Sequence, residues 1–281
     1  MKSLNILHIS DAHIEMATKE EVSDIVEKMI NDALKVQKEQ DIKIDLVCFT
    51  GDLIQRGDKA IDDENQLGLA EEILINPIVN GLGLEKDKFI MVPGNHEIDV
   101  KKIVKATEKG LLVDSLEEIN DNVSDMNETY LARLGYFYEW IGNYYSDVIK
   151  EKIGYVFLRE MDGKKVGVAC IDSAWRSSGK GGCEKGIMYV GEKQIDDLYK
   201  HIKDADIKIC LMHHPTDWLS DYELSIIEKQ LTKFDVVLRG HVHEFDHKEI
   251  CRQRMKTIYS TAGKLYPLDY AFGRAVDGYN G

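Results

Sequence analysis

The apolar positions along this chain change period repeatedly, and each change marks an element. The run "LNILHIS" at residues 4–10 is short, apolar and β-branched, the form of a strand buried in a sheet. Over residues 19–38 the period becomes helical, with Val22, Ile25, Val26, Met29, Ile30, Ala33 and Leu34 on one face. A second strand, "DLVCFT", follows. Then come a helix predicted over about 64–76 that ends near Pro77, and the strand "KFIMV", closed by Pro93 and Gly94.

Residues 99–150 break this rhythm. They are acidic and asparagine-rich, then crowded with Tyr130, Tyr136, Phe137, Tyr138, Trp140, Tyr144 and Tyr145. The spacing predicts a helical insertion lying over one end of the sheet, its aromatics used chiefly for packing. The pattern then resumes in "GYVFLREMDGKKVGVACIDS", two strands whose junction at Asp162-Gly163 is a hairpin signal. A helix over about 191–203, the strand "IKICLMHH", a helix over about 221–232 and the strands "FDVVLRG" and "MKTIYSTA" complete the series. Strands alternating with helices predict an α/β domain.

Composition narrows the possibilities. A chain of 281 residues with 43% hydrophobic content suits one large core, so residues 1–281 read as a single domain. Fifty acidic against 36 basic residues give a net charge of −14, which argues against broad adhesion to nucleic acid or to an anionic membrane. The series Lys101, Lys102, Lys105, Lys109 and Arg252, Arg254, Lys256 read as solvated faces. Cys48, Cys170 and Cys210 sit in apolar runs, Cys183 and Cys251 in polar ones, and five cysteines without a Cys-x-x-Cys pair predict a reducing compartment. The start "MKSLNILHISDAH" lacks a signal-peptide pattern and no stretch is long enough to cross a membrane, so the expected location is cytoplasmic.

The chemistry lies where the strands stop. Asp11 and His13 follow the first strand, Asp52 follows Gly51, Asn95 and His96 follow Gly94, His213 and His214 end a fourth strand, and His241 and His243 follow Gly240. Open α/β sheets bind ligands outside the carboxyl ends of their strands, so these residues are expected to converge. The three glycines suit turns that need positive φ or a close backbone approach. Carboxylates and imidazoles gathered at one point repel or stay unpaired unless a cation joins them. Two carboxylates, an amide and several imidazoles, with no thiolate, suit Mn²⁺, Fe or Zn²⁺. They are too many for one tetrahedral ion, and a pair of ions sharing one carboxylate would use them all. His8 and His201 read as structural or solvated, and Trp175 as a packing residue.

With "DAH" at 11–13, "GDLIQRGD" at 51–58, "GNHE" at 94–97, "MHHP" at 212–215 and "GHVH" at 240–243, the chain resembles the calcineurin-like metallophosphoesterase family. The resemblance runs from residue 4 to about 262. It implies a four-layer αββα sandwich, two packed mixed β-sheets flanked by helices, with a dinuclear site at one edge. By motif position Asp11, His13, Asp52 and His243 would hold one ion. Asp52, Asn95, His213 and His241 would hold the other, with Asp52 bridging. His96 would face the phosphate and assist the leaving group, Arg56 matches a phosphate-contacting arginine, and His214 would be a supporting residue or phosphate contact. Where one branch of the family has an aspartate orienting the histidine, this chain has Gln55, whose side-chain amide oxygen could accept a hydrogen bond but brings no negative charge, so an imidazolium at 96 would be less well supported.

The expected activity is hydrolysis of a phosphodiester or phosphomonoester, nucleotide-type, by a metal-bridging hydroxide. Two cations lower the pKa of a shared water from about 15.7 to near 7. The alternatives are a metal-dependent nuclease of the same superfamily, which the net charge disfavours, and a non-catalytic scaffold, which the full ligand set disfavours. The ending "GRAVDGYNG" stops where a further strand is expected, which suggests the N-terminal catalytic part of a longer protein with another domain or partner beyond it.

Overall fold

A computed structural model describes residues 3–61, 64–243, 245–252 and 255–266. Arg254 and the ending "GRAVDGYNG" lie outside the described residues.

Three strands, β1 (Ile6–Ile9), β2 (Leu46–Phe49) and β3 (Phe89–Met91), form a parallel sheet in the order β1-β2-β3. Parallel neighbours need long crossovers. Here they are α1 (Lys19–Gln40) and the run from α2 (Gln66–Ala70) through a π turn (Glu71–Ile75) to α3 (Asn76–Gly81). The predicted stop at Pro77 is therefore corrected: the helical run passes through Pro77 to Gly81. At the π turn Asn76 N–H bonds back five residues to the Glu71 carbonyl, and this register shift accommodates a residue that has no N–H to give.

Helices α4 (Lys105–Gly110), α5 (Leu116–Ser124), α6 (Glu128–Leu131) and α7 (Gly135–Tyr144) make up the insertion. Its aromatics pack and tie the segment to its surroundings. Phe137 is fully buried, Tyr136 donates to the Glu97 carbonyl, Tyr138 to Asp172 Oδ2 at 2.8 Å, and Trp140 Nε1 to Glu71 Oε1 at 2.5 Å.

The second sheet contains β4 (Ile149–Lys150), β5 (Tyr155–Met161), β6 (Lys164–Cys170), β7 (Ile207–Leu211), β8 (Val236–Arg239), β9 (Asp246–Arg252) and β10 (Met255–Thr261), in the order β4-β5-β6-β7-β8-β10-β9. Helix α8 (Glu192–Ile202) joins β6 to β7, and α9 (Leu224–Leu231) joins β7 to β8. Strands β6, β7, β8 and β10 run parallel, and the edges are antiparallel. Mixed character thus belongs to the larger sheet alone. Asp162 and Gly163, at φ 49° and 71°, form the predicted tight turn between β5 and β6.

One face of each sheet contributes to a shared core through Phe49, Phe89, Phe157, Leu211 and Leu238. Tyr155 on β5 donates to the Met91 carbonyl on β3 at 2.5 Å, and His8 on β1 reaches Ser260 on β10 at 3.3 Å, so polar bonds also join the sheets. Val22, Val26 and Met29 of α1 add to that core, while Ile195 and Leu198 of α8 and Ile227 of α9 cover the outer face of the larger sheet. The result is two sheets flanked by helices, with the carboxyl ends of β1, β2, β3, β7 and β8 on one rim.

Candidate metal centre

Five of the expected site residues lie on backbone in the left-handed region: Asp11 (φ 57°), His13 (46°), Asp52 (56°), His241 (73°) and His243 (61°). Such a φ is uncommon outside glycine and persists only where neighbours enforce it. The enforcement is visible. Asp11 N–H donates to the Gly51 carbonyl at 3.0 Å, and Ala12 and His13 both donate to the Asp52 carbonyl, at 2.9 and 3.0 Å. Among the three motif glycines only Gly51 (φ 97°) uses positive φ; Gly94 and Gly240 serve close approach, since a Cβ at either would overlap Asp52 or Ser10.

These turns bring seven donor side chains together. His243 Nε2 lies 3.3 Å and His13 Nε2 3.8 Å from Asp11 Oδ1. Asp52 Oδ2 lies 3.9 Å from His13 Nε2 on one side and 3.3 Å from His213 Nε2 on the other. His213 Nε2 is also 3.1 Å from both Asn95 Oδ1 and His241 Nδ1.

His213 Nδ1 donates to the Thr50 carbonyl at 2.6 Å, so in the neutral ring the bare Nε2 faces a carboxylate, an amide oxygen and a second imidazole. Acceptors that face one another need a cation or a proton between them. Burial alone would lower the His213 pKa, but the Asp52 charge and hydrogen bond and the Asp11 charge outweigh it and push the ring up to about 9. On the other side Asp11 Oδ1 and both ring nitrogens of His13 are buried without a hydrogen-bond partner. Oxygen and imidazole donors left in this condition fit divalent metal binding.

His96 stands at the edge of the cluster, its ring 4.5 Å from that of His13. Its backbone N–H donates to Asp52 Oδ1 at 2.9 Å and its Nδ1 is 2.8 Å from the Gln55 backbone carbonyl. That pair requires Nδ1 to carry hydrogen and leaves Nε2 for another partner. The Gln55 side chain does not orient the ring: its Oε1 is buried without a partner, and the main chain does the work instead. A cavity of about 200 Å³ opens beside His96, lined also by Gln55, Arg56, Asp58, Asn95 and Gly179. Arg56 reaches it while held by Asp58 through two bonds of 3.0 Å. His214 does not line this cavity. It is buried beneath His241, ring centroids 4.5 Å apart, with Nδ1 3.0 Å from Ser173 Oγ.

A calcineurin-like phosphoesterase family model matches residues 4–245. The chain belongs to the calcineurin-like phosphoesterase family. The uncharacterized metallophosphoesterase-like protein YydB of Bacillus subtilis (strain 168) is 23% identical over 259 residues, which cover 86% of this chain and 49% of YydB. The chain therefore spans about half the length of that relative.

Two supports of this metallophosphoesterase site escaped the reading of the sequence. Trp218 sets its ring edge-to-face on His241 at 3.9 Å. Glu97 is fully buried and accepts backbone N–H bonds from Asp52 (2.8 Å), Ile54 (3.0 Å) and Gly94 (2.6 Å). Burial and then the Asp52 charge push its carboxyl up to about 7. Its place in "GNHE" was the available signal. Glu97→Ala leaves three buried donors unmatched at about 1–3 kcal/mol each, so urea unfolding is expected to show a loss of about 3 kcal/mol or more. An unchanged midpoint would refute that role. Gly240→Ala places a methyl group on Ser10 Oγ and 2.9 Å from Asp11 Oδ2, and its expected cost is about 1–3 kcal/mol with weakened metal retention. Titration with Mn²⁺ tests this, and wild-type affinity would contradict it.

Proposed function

We propose that the chain hydrolyses a small nucleotide-type phosphodiester or phosphomonoester with two divalent cations. Asp11, His13, Asp52 and His243 would hold one cation. Asp52, Asn95, His213 and His241 would hold the other. The observation that carries this reading is the Asp52 carboxylate, which lies within 3.9 Å of His13 and 3.3 Å of His213 and so stands between the two halves of the donor set.

When bound there, the cations supply Lewis acidity toward phosphoryl oxygens and lower the pKa of water toward neutrality. The remaining tasks fall to this chain's own atoms. His96, with Nδ1 committed to the Gln55 carbonyl, presents Nε2 to the departing oxygen and delivers or shares a proton there. Asn95 offers its amide to the phosphoryl group. Arg56, aligned by Asp58, offers charge to a non-bridging oxygen from the cavity wall. The net charge of −14 favours a small substrate over a nucleic acid. Buried free thiols at Cys48, Cys170 and Cys210 support a reducing, cytoplasmic location, and no helix among the described residues is long and apolar enough to cross a membrane.

The test is a panel of aryl phosphate mono- and diesters, cyclic nucleotides and short oligonucleotides, assayed with Mn²⁺, Fe²⁺ or Zn²⁺ and again after chelation. The expected result is metal-dependent turnover of small esters in preference to oligonucleotides. Chelator-resistant turnover, or preference for oligonucleotides, would overturn the reading.

A further inference from the structure

A cavity of about 420 Å³ lies on the outer face of the larger sheet, at the carboxyl ends of β8 and β10 and beside α9. It is separate from the cavity at His96, and its volume is in the range of small-molecule sites. Its inner wall is Arg239, Thr216, Thr261 and Tyr259, all at least nine-tenths buried. The guanidinium of Arg239 lies 5.3 Å from the Tyr259 ring centroid, which satisfies its face but none of its N–H groups. Nε has no hydrogen-bond partner, and the side chain makes no ion pair among the described residues.

A buried arginine with no directly paired counter-ion, felt only through space by the Asp246 and Asp217 carboxylates, is costly, and an oxyanion is its natural complement. The mouth has the opposite character. Glu228 on α9 and Asp246 on β9 are exposed there with Asp217, which Lys185 engages at 2.8 Å, while Lys248 is the one other basic residue lining the cavity among the described residues. With Asp217 already paired to Lys185, Glu228 and Asp246 still outnumber Lys248 at the entrance, which disfavours a polyanion and favours a cationic group.

We propose that this cavity binds a compact zwitterion, with its carboxylate inward on Arg239 and its ammonium group at the mouth against Glu228 and Asp246. The site has a route to the metal rim. Val242 lines the cavity and stands between His241 and His243, so an occupant bears on the loop that carries two of the donors.

Isothermal titration with L-lysine, and with acetate as a single-ended probe, tests the site on the metal-loaded chain. L-Lysine is expected to bind saturably and more tightly than acetate. Arg239→Gln is expected to weaken L-lysine at least tenfold. The surface pair Glu228→Gln with Asp246→Asn is expected to weaken L-lysine while leaving acetate unchanged, and it decides the matter if Arg239→Gln fails to fold. Absence of saturable binding, wild-type affinity in Arg239→Gln, or an unaltered lysine-to-acetate preference in the double variant would each overturn the proposal. None of these outcomes depends on whether phosphoesters are hydrolysed.

Discussion

Replacing Asp52 by asparagine is expected to abolish metal binding and hydrolysis together. The side chain is buried, so a near-isosteric amide leaves packing intact. What changes is charge. Burial opposes ionisation of Asp52, yet the charges of His213 and His96 hold its carboxyl well below the usual range, so the native group is a carboxylate. Oδ1 accepts the His96 N–H at 2.9 Å, so an asparagine that keeps this bond must turn its NH₂ toward His13 and His213. A donor then sits where both proposed ions would need an oxygen lone pair. The expected loss in kcat/KM is on the order of 10³-fold or more, beyond the range for removing one transition-state hydrogen-bond donor. Metal analysis beside kinetics on an aryl phosphate decides it. Full metal content with near-wild-type turnover would show that Asp52 does not bridge.

His96→Ala is expected to separate the two properties. The ring is half-buried at the cavity edge and belongs to neither proposed ligand set, so both ions should remain. Turnover should fall by about 10²–10⁴, the usual span for losing a general acid. The loss should shrink as the leaving group becomes more acidic, since a good leaving group needs no proton. A purely structural role would lower all substrates alike. Equal losses on nitrophenyl and alkyl esters would therefore remove the assignment, as would undiminished hydrolysis of the alkyl ester.

Most of the fold was legible because its strands are short and apolar and its long helices carry a single apolar face, as in α1 with Val22, Val26 and Met29 buried. The misses have physical causes. Strand β9 is an edge strand with exposed polar side chains at 246–249, so periodicity had nothing to register. The π turn before Pro77 depends on a hydrogen-bond shift that composition does not encode. The donor residues were legible as residue types at strand ends. Their convergence rests on five left-handed backbones, on Glu97 bridging two loops and on carbonyls of Thr50 and Gln55, and main-chain atoms leave no mark in a string of side chains.

The most direct measurement is anomalous X-ray scattering from crystals of the Mn²⁺-loaded chain. The account predicts two peaks about 3.5–4 Å apart, with Asp52 between them, Asp11, His13 and His243 around one and Asn95, His213 and His241 around the other. A single peak, or peaks away from Asp52, would contradict it.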